Sequence, residues 1–303
     1  MRIGLIHGMK RLFGKNLISG FYRSLGFLSD EKYIRFIYRL RMGKKLNLDN
    51  PRTFTEKLQW LKLNDHNPLY TTIADKLAMR EYVEKKVGPG HSVPILGTWK
   101  SFSDIDFDKL PDRFVLKTTH DSGSFVICND KATFDKAKAK KILSKSLKRN
   151  YYKTTREWQY KDIEPRIIAE EYLNDGKSHL TDYKFFCFNG KPVFMYCEEE
   201  ASEHLTQAIA DMQYNLMPFS MEDDKADCLP PKPEQFNSME MIAQSLSEGF
   251  PFIRVDMYCI KDKVYVGELT LYHFGGYTPF NPEEWDLKLG DMLDISGVKT
   301  KAQ

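Results

Sequence analysis

The chain has 303 residues, 42% of them apolar and 29% charged, with a formal net charge of +3. That size and balance describe a soluble globular protein of one large or two modest domains. No apolar run approaches the roughly 18 residues of a membrane-spanning helix, and no basic stripe with interleaved aromatics points to nucleic acid. The five cysteines, Cys128, Cys187, Cys197, Cys228 and Cys259, are scattered and never spaced CxxC. They argue against a disulfide framework or a zinc site and for a reducing, cytoplasmic compartment. The histidines are equally dispersed, with no HExxH, so no His-based metal motif is legible.

In residues 1–28, Leu5, Ile6, Met9, Leu12, Phe13 and Leu17 recur at helical spacing between Arg2, Lys10, Arg11 and Lys15. There is no continuous apolar segment with a small-residue cleavage site, so this is not a signal peptide. It reads as a helix packed on the body; the sharper alternative is a helix over residues 1–27 lying on an anionic inner membrane surface. A second helix starts at Ser29-Asp30, carries Tyr33, Ile34, Phe36, Ile37 and Leu40, and ends near Gly43. Thr53-Phe54-Thr55-Glu56 is a capping box, and the helix behind it carries Leu58, Trp60, Leu61 and Leu63. Asp75 caps a further helix that stops at Gly88.

Strands follow. Arg113 to Lys117 alternates, turns through Thr118-Thr119-His120-Asp121-Ser122-Gly123-Ser124, and returns as Phe125 to Cys128. Such a small polar tip can bring amides and hydroxyls to phosphate oxygens, with Lys117 as a point charge; the alternative is a plain surface hairpin. The Lys-rich helix over residues 133–148 solvates one face. Pro165 to Leu173 is a strand ending in two acids and an aromatic. Asp182 to Phe188 turns at Asn189-Gly190 into Lys191 to Tyr196. Residues 201–235, with Asp223, Asp224 and the prolines at 230, 231 and 233, read as loop, and helix resumes over 238–247.

The hairpin from Pro251 to Thr270 carries the sharpest signal. Side chains alternate along a strand, so Arg254 and Asp256 share a face, as do Glu268 and Thr270. A three-residue loop pairing Ile260 with Val264 puts Asp256 opposite Glu268 and Arg254 opposite Thr270. Two opposed carboxylates repel unless a cation sits between them, and Mg²⁺ is usually held by one or two carboxylates plus phosphate oxygens. A solvated hairpin face is the alternative, and a one-residue slip would send the acids to opposite faces. An irregular turn, His273-Phe274-Gly275-Gly276-Tyr277, abuts this hairpin, and residues 283–293 read as a short helix.

A Lys before a polar hairpin tip, an acidic strand end and an Asp…Glu-x-Thr hairpin with Arg two residues before the Asp occur in that order. Together they resemble the ATP-grasp fold, in which two α+β subdomains hold ATP between them. The TupA-like branch, named for a teichuronopeptide biosynthesis protein and common in bacterial polysaccharide gene clusters, is the nearest match. The motifs are LSDEKYIRFIYRLRMGKKLNLDNPRTFTEKLQWLKL, ADKLAMREYV, FVLKTTHDSGS, EWQYKDIEPRIIAEEYL, DYKFFCFNGKP, FIRVDMY and GELTLYHFGGY. They span Leu28 to Pro279.

The resemblance implies an α+β ATP-grasp chain with an N-terminal helical region (1–74), a lid subdomain (75–173) and a subdomain bearing the metal hairpin (174–303). It implies that Lys76 and Lys117 bind nucleotide and that residues 118–124, among them His120, Ser122, Gly123 and Ser124, close over the phosphates. Glu170, Glu171, Tyr172 and Leu173 become the adenine hinge, and Lys184 a further phosphate contact. Asp256 and Glu268 would hold Mg²⁺, with Mn²⁺ as an alternative. Thr270 stands at a third metal position where many superfamily members carry Asn. The catalytic residues are Arg254, which steadies the charge in transfer, and Lys184. His273, Gly275, Gly276 and Tyr277 are the candidates for an acceptor pocket, or else form a purely structural turn. The implied reaction is ATP-dependent joining of a carboxylate, of uronic-acid type on a cell-surface sugar, to an amino acid or small amine. Glycosyl transfer from a nucleotide sugar, with Asp223-Asp224 as a metal pair, and a non-catalytic nucleotide scaffold are the rivals.

Overall fold

The computed structural model describes residues 22, 24–174, 176, 180–198, 206–221 and 224–299. Most of the basic N-terminal segment, and Asp223, lie outside them. Helix α1 (Asp30–Met42) closes on Gly43, whose φ of 69° lets its N–H reach Arg39 O. It buries Tyr33, Ile34, Ile37 and Tyr38, whereas Phe36, expected inside, is 46% exposed. The capping box forms as read: Thr53 accepts from Glu56 N and the Glu56 carboxylate answers the Thr53 N–H, starting α2 (Phe54–Asn64). Helix α3 (Leu69–Ala74) follows. Helix α4 (Met79–Val87) ends at Gly88 as expected but starts four residues after Asp75. The Asp75 carboxylate instead takes Leu77 N in a tight turn.

Strands β1 (Ile95–Trp99), β2 (Phe114–Thr118), β3 (Phe125–Cys128) and β4 (Ile167–Glu171) form an antiparallel sheet in the order β1-β4-β2-β3. Helix α5 (Lys136–Leu147) covers one face through Ala139 and Leu143, against Phe114, Leu116, Cys128, Ile167 and Ala169. The one-turn helix α6 (Tyr152–Thr155) lies between α5 and β4. Strands β5 (Asp182–Phe188), β6 (Lys191–Glu198), β7 (Thr206–Asp211), β8 (Ser220–Met221) and β9 (Asp224–Lys225) precede α7 (Phe236–Ser247). Then come β10 (Phe252–Ile260), β11 (Lys263–Thr270), β12 (Phe280–Asn281) and α8 (Glu284–Met292). The second sheet runs β11-β10-β5-β6-β7-β9, and β12 pairs with β8.

Residues 201–235, read as loop, thus hold three strands. Ala208, Ile209 and Ala210 are all buried, so β7 shows none of the alternation that marks a half-exposed strand.

Alternation divides the six-stranded sheet. Phe185 and Cys187 face α7, meeting the Phe236 ring and Ala243 O. On the other face Phe188 and Phe252 pack on Phe54 of α2. Further along that face the side chains become charged: Arg254, Asp256 and Lys184. One apolar core joins this sheet to Phe54, Leu58 and Leu61 of α2, Tyr70 and Ile73 of α3, and Met79, Tyr82 and Val83 of α4. The core therefore crosses residue 74, and α4 is built into the large sheet rather than into the four-stranded one.

Candidate active site

In the β10–β11 hairpin Asp256 faces Glu268 and Arg254 faces Thr270, the two pairs expected from alternation. The route to that register differs. Ile260 pairs with Lys263 instead of Val264, and a bulge between Asp256 and Met257 restores the step. The tight turn rests on Lys261 at φ 57°. The bulge falls at Gly267, where a Cβ would lie 2.7 Å from the Tyr258 ring, so Gly permits both the bulge and the ring above it.

Strand β10 pairs with β5 on its other side, placing Asp256 beside Lys184, and Lys184 beside Tyr196 of β6. Glu268, Asp256 and Lys184 thus form one row across three strands. Arg254 is buried and grips Asp256 with both arms, Nε to Oδ1 at 2.6 Å and Nη2 to Oδ2 at 2.5 Å. It also donates to Thr270 Oγ1 at 3.1 Å and meets His273 Nδ1 at 2.6 Å. A guanidinium has five N–H donors and no acceptor. His273 Nδ1 must therefore accept, and the neutral ring carries its proton on Nε2. Burial, then the charges of Arg254 and Lys184, hold the His273 pKa well below its ordinary value, so the ring stays neutral. Lys184 pairs with Asp182. Burial alone would lower the lysine's pKa, but Asp256 and Asp182 raise it above the ordinary range.

The four-stranded sheet faces this row. Lys117 Nζ lies 2.6 Å from Glu170, which is buried. Lys76 spans the two regions: its backbone N–H reaches Thr119 O at 3.1 Å, its ammonium donates to Asp121 O, and Nζ lies 3.8 Å from Glu268.

The loop between β2 and β3 is pinned from beneath by a residue that sequence reasoning did not assign to the site. Asp121 is fully buried and accepts from Thr118 Oγ1 at 2.5 Å and from Ser124 Oγ, Ser146 Oγ and Arg149 Nη2, each at 2.6 Å. Burial pushes its pKa up, but these donors outweigh it and hold the carboxylate below its usual range. Only Ser122 and Gly123 are exposed at the tip, Gly123 at φ 78°. Ser124 spends its hydroxyl inward. His120 is also turned away, with Nε2 at 3.1 Å from the carbonyls of Ser146 and Arg149.

In the stretch expected to border adenine, Glu170 pairs with Lys117, Glu171 is exposed with its N–H on Pro94 O at 3.0 Å, and Tyr172 lies under the Arg113 guanidinium. Leu173 is half-buried. The Gly-rich turn is split: His273 joins the charged row, while Tyr277 packs with Tyr33, Ile34, Ile37 and Tyr38 of α1. The Gly275 and Gly276 carbonyls accept from Gln59 Nε2 at 2.9 and 2.7 Å, and Gly275 O also accepts from Lys62 Nζ at 2.6 Å.

A family model described as TupA-like ATPgrasp matches residues 56–294. The chain belongs to the TupA-like ATP-grasp family. A comparison with curated proteins found no match. Among solved structures the chain is similar to a D-alanine–D-alanine ligase from Bacillus anthracis, with 18% identity over 79% of this chain and 72% of that one, at a TM-score of 0.42. It is similar to the D-alanine–D-alanine ligase of Helicobacter pylori, with 12% identity, 80% and 69% coverage and a TM-score of 0.46. It is also similar to a RimK-domain ATP-grasp protein of Sphaerobacter thermophilus, with 11% identity, 74% and 69% coverage and a TM-score of 0.41. At these values the structural likenesses carry no argument of their own; the family match places this chain among ATP-grasp proteins, whose general chemistry is ATP-dependent ligation.

The donor set suits the divalent ion implied for this fold. Asp256, Glu268 and the Thr270 hydroxyl are hard oxygen ligands, and a carboxylate has about four lone-pair sites, of which Arg254 takes two on Asp256. Among the described residues no group of three or more His, Cys, Asp or Glu side chains gathers as a metal cage. Asp224, one half of the rival metal pair, lies on β9, at the opposite sheet edge from β11. Among the described residues no helix is long and apolar enough to cross a membrane.

Proposed function

We propose that this protein is an ADP-forming carboxylate–amine ligase acting through an acyl phosphate. Its substrates would be a uronic-acid-type carboxylate of a bacterial cell-surface polysaccharide precursor and an amino acid or small amine. The observation that supports this reading is the row Glu268, Asp256 and Lys184, with Lys76 joining it to the loop pinned by Asp121. Lysines of this kind neutralise a triphosphate directly and the acids through a divalent ion, while a carboxylate oxygen attacks its terminal phosphorus.

In this scheme Lys117, Lys76 and Lys184 neutralise phosphate oxygens, Ser122 and Gly123 present amides from the loop tip, and Glu170 to Leu173 border the adenine. Mg²⁺ or Mn²⁺, when bound at Asp256 and Glu268, would neutralise phosphate charge. Arg254 has placed four N–H bonds on Asp256, Thr270 and His273, so one Nη1–H remains for the phosphoryl group in transfer. Asp256 and His273 hold that guanidinium in place before any substrate arrives. The four-stranded sheet, as the lid, and the six-stranded sheet close over ATP, on the cytoplasmic side, with residues 1–27 at the membrane face.

The test is incubation with Mg-ATP, glucuronic acid and a mixture of amino acids, following ADP. ADP release that needs both co-substrates supports the ligase. UDP release from a UDP-sugar without ATP consumption replaces it with glycosyl transfer, and tight ATP binding without turnover replaces it with a scaffold.

A further inference from the structure

We propose that Glu157 is the base that takes a proton from the incoming amine; this rests on the ligase reading above. Glu157 opens the EWQYKDIEP motif, to which the roles assigned so far give nothing. It follows Arg156, held at φ 57°, and its side chain is buried. Its Oε2 receives Gln159 Nε2 at 3.3 Å. Its Oε1 lies 3.7 Å from the position a Cβ would take on Gly275, so the carboxylate looks onto the turn that carries His273.

That turn is built at some cost. Phe274, Gly275 and Gly276 adopt φ of 45°, 66° and 73° in succession, which is strained for Phe274. The Gln59 amide and Lys62 ammonium on the Gly275 and Gly276 carbonyls hold it there. Two consequences follow. His273 is aimed at Arg254, and Gly275, lacking a Cβ, lets the Glu157 carboxylate come against the turn beside the Tyr277 ring.

Among the described residues no cation forms an ion pair with Glu157. Lys62, whose charge acts on it, donates to Gly275 O and sits over the rings of Tyr277 and Tyr272, 4.8 and 5.6 Å from their centroids. Close by, Gln59 Oε1, Gln159 Oε1 and Tyr277 Oη are buried without a hydrogen-bond partner. Each such orphan is unfavourable until a donor meets it. The carboxylate and two amide oxygens are three acceptors beside one turn, and a primary ammonium brings three donors. Burial raises the Glu157 pKa well above the ordinary carboxylate range; Lys62 opposes that shift and Glu268 adds to it. Burial also lowers Lys62, with Glu157 opposing and Arg41 adding. The remaining groups that feel Glu157 are phenols: Tyr151, Tyr160, Tyr272 and Tyr277. A carboxylate so raised is a competent base near neutral pH.

The step balances as follows. One proton passes from the ammonium to Glu157, giving a neutral amine and a carboxylic acid. The amine lone pair forms the C–N bond at the acyl carbon, and the C–O bond to phosphate breaks with its electron pair leaving on phosphate. A second nitrogen proton departs with the phosphate, leaving the amide.

The test uses the full-length protein with Mg-ATP and glucuronic acid, comparing wild type with Glu157→Gln. Amide formation with an amino-acid mixture is set against hydroxamate formation with hydroxylamine, which is largely unprotonated at neutral pH and needs no base. The variant is expected to lose amide formation by about 10²-fold or more, the span of general-base effects, while its hydroxamate formation stays near wild type. Glu157→Asp, which keeps the charge, is expected to recover part of the amide rate and serves should the Gln variant not fold. Equal loss of both products in a folded variant that still binds ATP, or wild-type amide formation by Glu157→Gln, overturns the proposal. Absence of hydroxamate from the wild type instead defeats the ligase reading itself, and this proposal with it.

Discussion

The two sheets hold their charged groups in different ways. On the six-stranded sheet the site residues stand on strands, and the ladder sets the spacing: Glu268, Asp256 and Lys184 are neighbours because their backbones are paired. On the four-stranded sheet the β2–β3 loop, proposed above to cover the phosphates, has no ladder of its own, and one buried carboxylate, Asp121, gathers three hydroxyls and Arg149 beneath it. The first arrangement is rigid because many bonds share the work. The second ties a short loop down at its base, through Asp121 with Lys76 and His120, and leaves Ser122 and Gly123 exposed at the tip. A rigid floor beneath a loop tied at its base and exposed at its tip suits an enzyme that must admit a nucleotide and then cover it.

The largest effect is expected on the floor. Glu268→Gln should cut ADP formation by more than about 10²-fold, in the range of removed charge stabilisation, with the melting temperature little changed, because Glu268 is half-buried and shares no tight pair. Asp256→Asn should lose as much activity and also stability, by about 3–5 kcal/mol, since Arg254 is then left buried without its carboxylate. Melting curves of the two variants separate these outcomes. Should both melt alike, the Arg254–Asp256 pair is not the anchor described.

The lid variants come next. Lys117→Met should weaken ATP binding by about 1.5–3 kcal/mol, the value of a charge-assisted hydrogen bond, read as a higher ATP KM. Asp121→Asn should raise the ATP KM while leaving kcat for bound nucleotide nearly unchanged, if the residue only shapes the loop. Its pH behaviour adds a sign. Asp121 titrates lower in the folded protein than its unfolded value of about 3.9, so its stabilisation is present above that value and disappears as pH falls through the folded one. Acid melts of the wild type should therefore lose stability that Asp121→Asn never had. The smallest effect is expected at Gly276, where φ is 73° and a Cβ would lie 2.6 Å from Gln59 Nε2. Gly276→Ala should cost about 1–3 kcal/mol, seen as a lower melting temperature.

The same contrast explains what could be read from the sequence. The Asp256–Glu268 and Arg254–Thr270 pairs follow from period-two alternation, and they survive a wrong loop length because the Gly267 bulge offsets a two-residue turn. The Thr53–Glu56 capping box is equally local. What was hidden is tertiary. His120 sits in the phosphate loop by sequence, yet its ring turns back onto the last turn of α5, because the carbonyls there need donors. Ser146 and Arg149 reach Asp121 from 25 and 28 residues away, and Lys62 reaches Gly275 from 213; no spacing rule reaches that far. Helices α2 and α4 were legible as helices, whereas α3 was not read, and periodicity does not say which sheet a stripe will meet. Strand β7 lacked alternation because it is buried along Ala208 to Ala210.

The central claim is that the opposed acids of the hairpin grip a nucleotide through a divalent ion, and calorimetry of ATP binding with and without Mg²⁺ tests it without knowing either co-substrate. Wild type should bind ATP more tightly when Mg²⁺ is present, and Glu268→Gln should lose that increment while keeping its Mg²⁺-free affinity. A variant with the wild-type dependence on Mg²⁺, or a wild-type protein that ignores ATP, would contradict the account.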